Sequence, residues 1–477
     1  MPNPQVSRSP MNRSTRRDFL QTSGTALAAG LALGCRPRAQ EVTQLAGPRP
    51  LPQQPNVVLI MLDTLRADKC GCYGYDQDTT PALDALAERG VLFARAFSEC
   101  PWTRPSVGAF LTGLHARALG LYSERADALN PRFDTLPKLF QAAGYGTFGA
   151  TANPNLNELF GFHVGFDEYI DSRVVFRWME RQAGDALHQR TSLPQAPYLL
   201  DEAYDWARQR PAGSTSFMQL NLMEVHEWFA APSYDMRRDE YKRLYLDDGE
   251  YADSAANPRM RQWYRYLQVT RQLTDDVGAF IRRLTALPGW DNTFFVLVSD
   301  HGEGLDSHPG VYKSTLHGHL LYESHLHVPW IIHHPQWQPA RARIEQPVRL
   351  LDLMPTVLDL AGLPVPANRH GVSLVRLLQE ADATVELPPH FIAETYWRPE
   401  TKKIGALVPG YHGFHNFGGH RGLPEWELQR AGGGELGRET DVSSEAPEQL
   451  AMRREYIEAW EAEHPRAPAS SLLRRRP

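Results

Sequence analysis

Val57-Val58-Leu59-Ile60-Met61-Leu62-Asp63 and Thr293-Phe294-Phe295-Val296-Leu297-Val298-Ser299-Asp300-His301 decide the fold. Each is an unbroken apolar run, the mark of a strand buried on both faces in a parallel sheet rather than one half-exposed to water. Each run ends on an aspartate. In open α/β sheets the ligand crevice lies outside the carboxyl ends of the strands, so both acids fall where chemistry is done.

Working outward, Gly146–Ala150, Phe217–Leu222 and His327–Ile332 read as further strands. Thr80–Gly90, Leu136–Ala143, Tyr264–Leu287 and Leu353–Ala361, the last closed by Gly362, read as helices. Strands alternating with helices predict an α/β domain with a mainly parallel central sheet and helices on both faces. From about residue 385 the texture changes to short strands and Gly-rich loops (Gly405 to Gly437) before a last helix, Pro447–Glu463. That predicts a small C-terminal α+β subdomain. The organisation expected is 1–40 an export signal, 41–54 a linker, 55–384 the catalytic domain and 385–477 the C-terminal subdomain.

The N-terminus reads as an address. Arg16-Arg17, then Phe19-Leu20, precede an Ala/Leu-rich stretch from Gly24 to Gly34, the pattern of a twin-arginine signal. It predicts export to the periplasm or a membrane-anchored extracytoplasmic place. Ala32-Leu33-Gly34-Cys35 resembles a lipoprotein cleavage box, which makes Cys35 a candidate lipid anchor. Residues 36–55, rich in Pro, Gln and Arg, suit an extended tether.

Composition narrows the class. Lys+Arg 50 against Asp+Glu 56 leaves a net charge of −6, with no basic footprint for nucleic acid. Four cysteines in 477 residues exclude a disulfide scaffold. No apolar run reaches the roughly 20 residues of a membrane span.

Between the two acidic strand ends lies Pro101-Trp102-Thr103-Arg104-Pro105-Ser106. Pro105 suits the first position of a helix. That puts Thr103 just before a helix N-terminus, where free N–H groups and the dipole favour an anion. Asp63, Asp300, His301 and Thr103 supply the oxygen and nitrogen donors that suit Mg²⁺, Mn²⁺, Ca²⁺ or Zn²⁺. A cation beside a hydroxyl lowers its pKa and makes it a nucleophile at neutral pH.

The ordered motifs Asp63-Thr64-Leu65-Arg66, Gly71-Cys72-Tyr73-Gly74, Pro105-Ser106 with Leu111-Thr112-Gly113, Ser299-Asp300-His301-Gly302-Glu303, Val328-Pro329 and Asp352-Leu353-Met354-Pro355-Thr356 resemble the sulfatase family of the alkaline phosphatase superfamily. The resemblance implies one divalent metal ion at Asp63, Asp300 and His301, touched by a nucleophile at Thr103. It implies that His226 contacts substrate, and that Lys313 with His317 or His319 meets the transferred or leaving group. It also implies a small-molecule, glycan or lipid ester as substrate, and no nucleic-acid partner. Nothing in the sequence specifies the oligomeric state.

The departures are as informative. Sulfatases carry Cys or Ser at the nucleophile position, modified to formylglycine in the pattern Cys/Ser-x-Pro-x-Arg. Here Thr103 stands first and Val107 replaces the Arg. Thr cannot become that aldehyde, so the resemblance points to phosphate or phosphonate esters attacked by an unmodified hydroxyl. Thr64 replaces a second metal-ligand Asp, which favours one metal. The alternatives are a sulfuric ester hydrolase using Thr103 or a modified Cys100, a phospho-group transferase, and a catalytically silent binding protein. Cys100 also reads as a plain thiol or as the disulfide partner of Cys70 or Cys72. The eight histidines from His301 to His334 raise a second metal as a further alternative. Asp275-Asp276 reads as a solvated or capping pair.

Overall fold

The computed structural model describes residues 50–122, 127–183, 195–211, 213–228, 258–305, 315–407, 410–432 and 441–468. Arg16, Arg17, Cys35 and Lys313 lie outside the described residues. In chain order the strands are β1 (Asn56–Leu62), β2 (Val91–Phe93), β3 (Ala96–Phe97), β4 (Gly146–Thr151), β5 (Glu168–Ile170), β6 (Ser216–Leu222), β7 (Thr293–Val298), β8 (His327–Val328), β9 (Trp330–His333), β10 (Arg343–Ile344), β11 (Val348–Arg349), β12 (Phe391–Thr395), β13 (Lys403–Leu407), β14 (Tyr411–His415) and β15 (Trp426–Arg430).

Eight of them make the central sheet in the order β10-β2-β9-β7-β1-β6-β4-β5. Every pairing is parallel except those of β9, which runs against β7 and β2. β1 sits in the middle, and all seven of its residues are buried. Alternate side chains point to opposite faces of a strand. Val58, Ile60 and Leu62 accordingly join one core with Leu86, Leu199 and Leu273 from the helices Pro81–Glu88, Ala196–Arg208 and Pro258–Thr285. Val57, Leu59 and Met61 join the other with Phe110, Phe140 and Val357 from Thr103–Thr112, Leu136–Ala142 and Leu353–Leu360. This is the expected three-layer α/β fold.

The stretch His327–Ile332 differs from the expectation. It is two strands, not one. Pro329 offers no N–H to a ladder, and proline is confined to strand edges and bulges. β8 joins β3 and β11 in a three-stranded sheet, while β9 enters the central sheet. The C-terminal part is a four-stranded antiparallel sheet, β12-β13-β14-β15, with the helix Pro447–Glu463 against it. The described residues form one compact unit. No described helix is long and apolar enough to cross a membrane.

Candidate active site

Four neighbouring parallel strands, β7, β1, β6 and β4, deliver side chains at their C-terminal ends. Asp63 follows β1 directly, Asp300 and His301 follow β7 after Ser299, His226 follows β6 by four residues, and Asn153 follows β4 by two. The first two strands were legible as carriers of acids; Asn153 was not foreseen. Thr103 arrives from the other side, on the first turn of the helix Thr103–Thr112. The structure shifts its register from the sequence reading. Trp102, with extended backbone, flanks the helix, Thr103 is its first residue and Pro105 its third. The first-turn N–H groups have no intrahelical acceptor in any case, so Pro105 fits there equally well.

Asp63, Asp300 and His301 are fully buried, and their ligand atoms all lie within 4.8 Å of one another. His301 Nδ1 donates to the Gly302 carbonyl at 2.9 Å. Its Nε2 lone pair is therefore turned inward, 3.3 Å from Asp300 Oδ2 and 3.9 Å from Asp63 Oδ1. Asp63 Oδ1 and Asp300 Oδ2 have no hydrogen-bond partner. Three electron-rich atoms thus face one another in a dry place, and neither carboxylate oxygen among them has a donor. Without a cation the carboxylates resist ionising: burial pushes Asp300 up to about 7, and burial with the Asp300 charge raises Asp63. The donor set fits one divalent ion. Among the described residues, no other group of His, Cys, Asp and Glu side chains comes close enough to share one.

The backbone is shaped around this cluster. Thr64 adopts φ 63°, a left-handed conformation that is an outlier for a β-branched residue. It points its N–H toward Asp300 Oδ1 at 3.4 Å, while its carbonyl accepts the Tyr266 hydroxyl at 2.9 Å. Gly302 packs on the Ser324 carbonyl so closely that a Cβ would sit 2.0 Å from that oxygen. No other residue fits after His301.

Thr103 is 2 % exposed, and its Oγ1 lies 3.4 Å from His301 Nε2 and 3.1 Å from Asn153 Nδ2. The same Asn153 nitrogen donates to Asp63 Oδ2 at 2.7 Å. Its oxygen accepts the Asn155 N–H at 2.8 Å, which fixes which way the amide points. His317 lies beside the triad, its ring 4.8 Å from that of His301 and 4.9 Å from that of His226. Glu303 holds His317 through Oε2···Nδ1 at 3.1 Å. Burial alone would lower His317 and raise Glu303, yet their mutual attraction prevails and moves each toward its charged form. His226 is pushed down to about 4 by burial and by His317, and His301 likewise. Glu227 is pushed up to about 7 by burial and by Glu224 and Asp63. His319 turns elsewhere: its Nδ1 meets Thr401 Oγ1 at 3.3 Å and its ring stacks on Trp397 at 4.9 Å. Trp397, from the loop after β12, also stacks on His317 at 5.5 Å.

Cys70, Cys72 and Cys100 are free thiols, so the disulfide reading of Cys100 is corrected. Cys100 is buried, and burial with the Glu99 and Glu394 charges raises its thiol well above the usual range, the setting of a structural rather than a reactive thiol. Asp275 and Asp276 bond along their helix to Arg271 and Gln272.

Residues 55–363 match the sulfatase family profile. Over 402 residues the chain is 25% identical to a Delta 4,5-hexuronate-2-O-sulfatase of Bacteroides thetaiotaomicron, covering 75% of this chain and 79% of that protein. It is 24% identical over 389 residues to an arylsulfatase of Clostridium perfringens, covering 69% and 80%. The phosphonate monoester hydrolase of Agrobacterium radiobacter shares the fold, with a TM-score of 0.66 at 19% identity over 86% of this chain and 96% of that one. The fold, the buried acid-imidazole triad and a match across most of the chain together place it in a family of metal-dependent ester hydrolases: the chain belongs to the sulfatase family.

Proposed function

We propose that the chain hydrolyses phosphate or phosphonate esters, with the unmodified Thr103 hydroxyl as nucleophile. The observation that carries this reading is the position of Thr103 Oγ1, which adjoins both His301 Nε2 and Asn153 Nδ2. Cys100, three residues earlier, is buried with a raised thiol pKa.

In this reading Asp63, Asp300 and His301 Nε2 hold one divalent cation, which supplies positive charge that lowers the Thr103 pKa and offsets the charge of the non-bridging oxygens. The rest of the reaction belongs to the chain's own groups. Asn153 fixes the Thr103 oxygen by donating to it. Thr103, its proton given up to solvent beforehand, forms a bond from its oxygen to phosphorus as the bond to the leaving oxygen breaks on the opposite side. The first-turn N–H groups of Thr103–Thr112 favour the negative charge that develops. His317, which Glu303 biases toward its protonated form, gives its proton to the departing oxygen. Water then attacks phosphorus, releases the Thr103 oxygen and returns a proton to His317.

A second reading, sulfate esters, draws support from the sulfatases matched in sequence. Initial rates with Mn²⁺ on matched aryl phosphodiester, aryl phosphonate and aryl sulfate substrates separate the two. A faster phosphorus-ester rate, lost with Thr103→Ala and kept with Cys100→Ala, is expected. A faster sulfate rate lost with Cys100→Ala would overturn the Thr103 reading. We further propose export through Arg16-Arg17; the chain should stay in the cytoplasm when both become Lys.

A further inference from the structure

At the other end of the central sheet lies a cavity of about 260 Å³ between the helices Pro81–Glu88 and Pro258–Thr285 and the chain leaving β9. β9 runs against β7, so His333 stands opposite Phe295, near the start of β7, whereas Asp300 follows its end. The cavity is remote from the catalytic triad by the length of that strand.

Its lining is one-sided in charge. Arg89 and Arg282 are the charged residues that contribute to it, beside His333 and His334, which burial favours as neutral, and no Asp or Glu does. Among the described residues neither arginine forms an ion pair. Arg89 uses Nε on the Ala85 carbonyl at 3.0 Å, which caps its helix and leaves the rest of the guanidinium over. Helix C-termini attract cations for their own sake, and that alone would account for two arginines here. It does not account for the buried wall. Trp337 is 7% exposed, yet its Nε1 has no hydrogen-bond partner. A buried indole N–H left unsatisfied costs on the order of 1–3 kcal/mol, and it can only donate. Leu86, Ile281 and the Trp337 ring supply an apolar surface beside the indole N–H and the two guanidinium groups.

We propose that this cavity is a second binding site, for a small organic oxyanion with a flat apolar body. The carboxylate or phosphoryl oxygens would accept from Trp337 Nε1 and the two guanidinium groups, and the body would lie against Leu86 and Ile281. The cavity has room for a single ring with one anionic group.

Benzoate is the probe, since it carries no ester bond and cannot turn over. Calorimetric titration of the full chain should give saturable binding with a Kd of about 1 mM or tighter. The Arg89→Met/Arg282→Met double variant should weaken it about tenfold or more, the share of one charged hydrogen bond. Aryl-ester activity of that variant should match the parent, which separates this site from the catalytic one. Inorganic phosphate, lacking the body, should bind more weakly than benzoate. Absence of saturable heat with benzoate overturns the proposal, and so does equal binding by the double variant. Trp337→Phe keeps an aromatic surface without the N–H; unchanged binding there would remove the indole from the argument and overturn the site as drawn.

Discussion

The Asn153 amide nitrogen lies 3.1 Å from the Thr103 hydroxyl oxygen and 2.7 Å from Asp63 Oδ2, so a single donor ties the candidate nucleophile to a candidate metal ligand. Because Asn153 donates to Thr103, the Thr103 proton is left to point elsewhere, and negative charge growing on that oxygen is stabilised. Removing this donor should act on the chemical step. Asn153→Ala is expected to lower kcat by about 10–100-fold with little change in KM, the range for one hydrogen bond to a charge. Asn153→Asp should be worse, since a carboxylate would face Asp63. A kcat within twofold of the parent for Asn153→Ala would show that the bond is structural only.

The triad makes a prediction that needs no substrate. A ligand that binds only the folded state raises stability by about 2.7 kcal/mol at one hundred times its Kd. Mn²⁺ added to chelator-treated protein should therefore raise the melting temperature. Asp300→Asn removes one charge of the set without changing its shape, and should abolish most of that rise. Equal rises in parent and variant would place the ion elsewhere.

How much of this could be read from the chain follows from how each residue reaches the site. Asp63 and Asp300 end two strands so apolar that they had to be central, and parallel neighbours bring their ends together. His301 is adjacent in sequence. Asn153 also follows a parallel strand, but Gly146–Thr151 is rich in small and polar residues and its end looks like an ordinary turn. The same rule, applied to that strand end, would have found it. The Glu303–His317 pair closes over 14 residues, and the stack of Trp397 on His317 joins the C-terminal layer to the site. Neither carries a local signal, because both depend on how loops lie over the sheet. The break at Pro329 was legible and was missed: the apolar run masked the one residue that cannot pair.

Stability should fall in mild acid for reasons outside the active site. Burial pushes His333 and His334 down to about 4 and His412 down to about 3. For each, the folded-state value is below the unfolded one of about 6.5. Above pH 6.5 both states are neutral and nothing is lost. Below it the unfolded chain takes up protons that the native state refuses, so stability falls as pH drops toward 4, by about 1 kcal/mol per pH unit for each such group. Urea midpoints measured from pH 7.5 to 4.5 should decline below 6.5, and His412→Gln should decline less steeply. Parallel profiles for the two proteins would refute a role for His412.

Arg117 fastens the C-terminal layer to the segment that carries Thr103. It follows the helix Thr103–Thr112 by five residues and is 2% exposed. Its Nε reaches both Glu394 oxygens, at 2.9 and 3.1 Å, from β12. Its Nη1 donates to the His464 carbonyl at 2.6 Å, and its guanidinium lies 4.3 Å from the Trp460 ring centre, both at the end of the last helix. Breaking a buried pair by removing one partner typically costs about 3–5 kcal/mol, because the other charge is left in a dry place. Arg117→Met should therefore lower stability by that amount. Arg117→Met with Glu394→Leu should recover much of it, since no charge is then stranded. Arg117→Lys should recover little, as a single ammonium cannot serve both carboxylate oxygens, the carbonyl and the indole face together. Chemical denaturation of the four proteins gives the test, with aryl-ester kcat measured well below the unfolding midpoint. If Arg117→Met loses less than about 1 kcal/mol, the value of a surface pair, the clasp lies elsewhere along the Pro447–Glu463 helix.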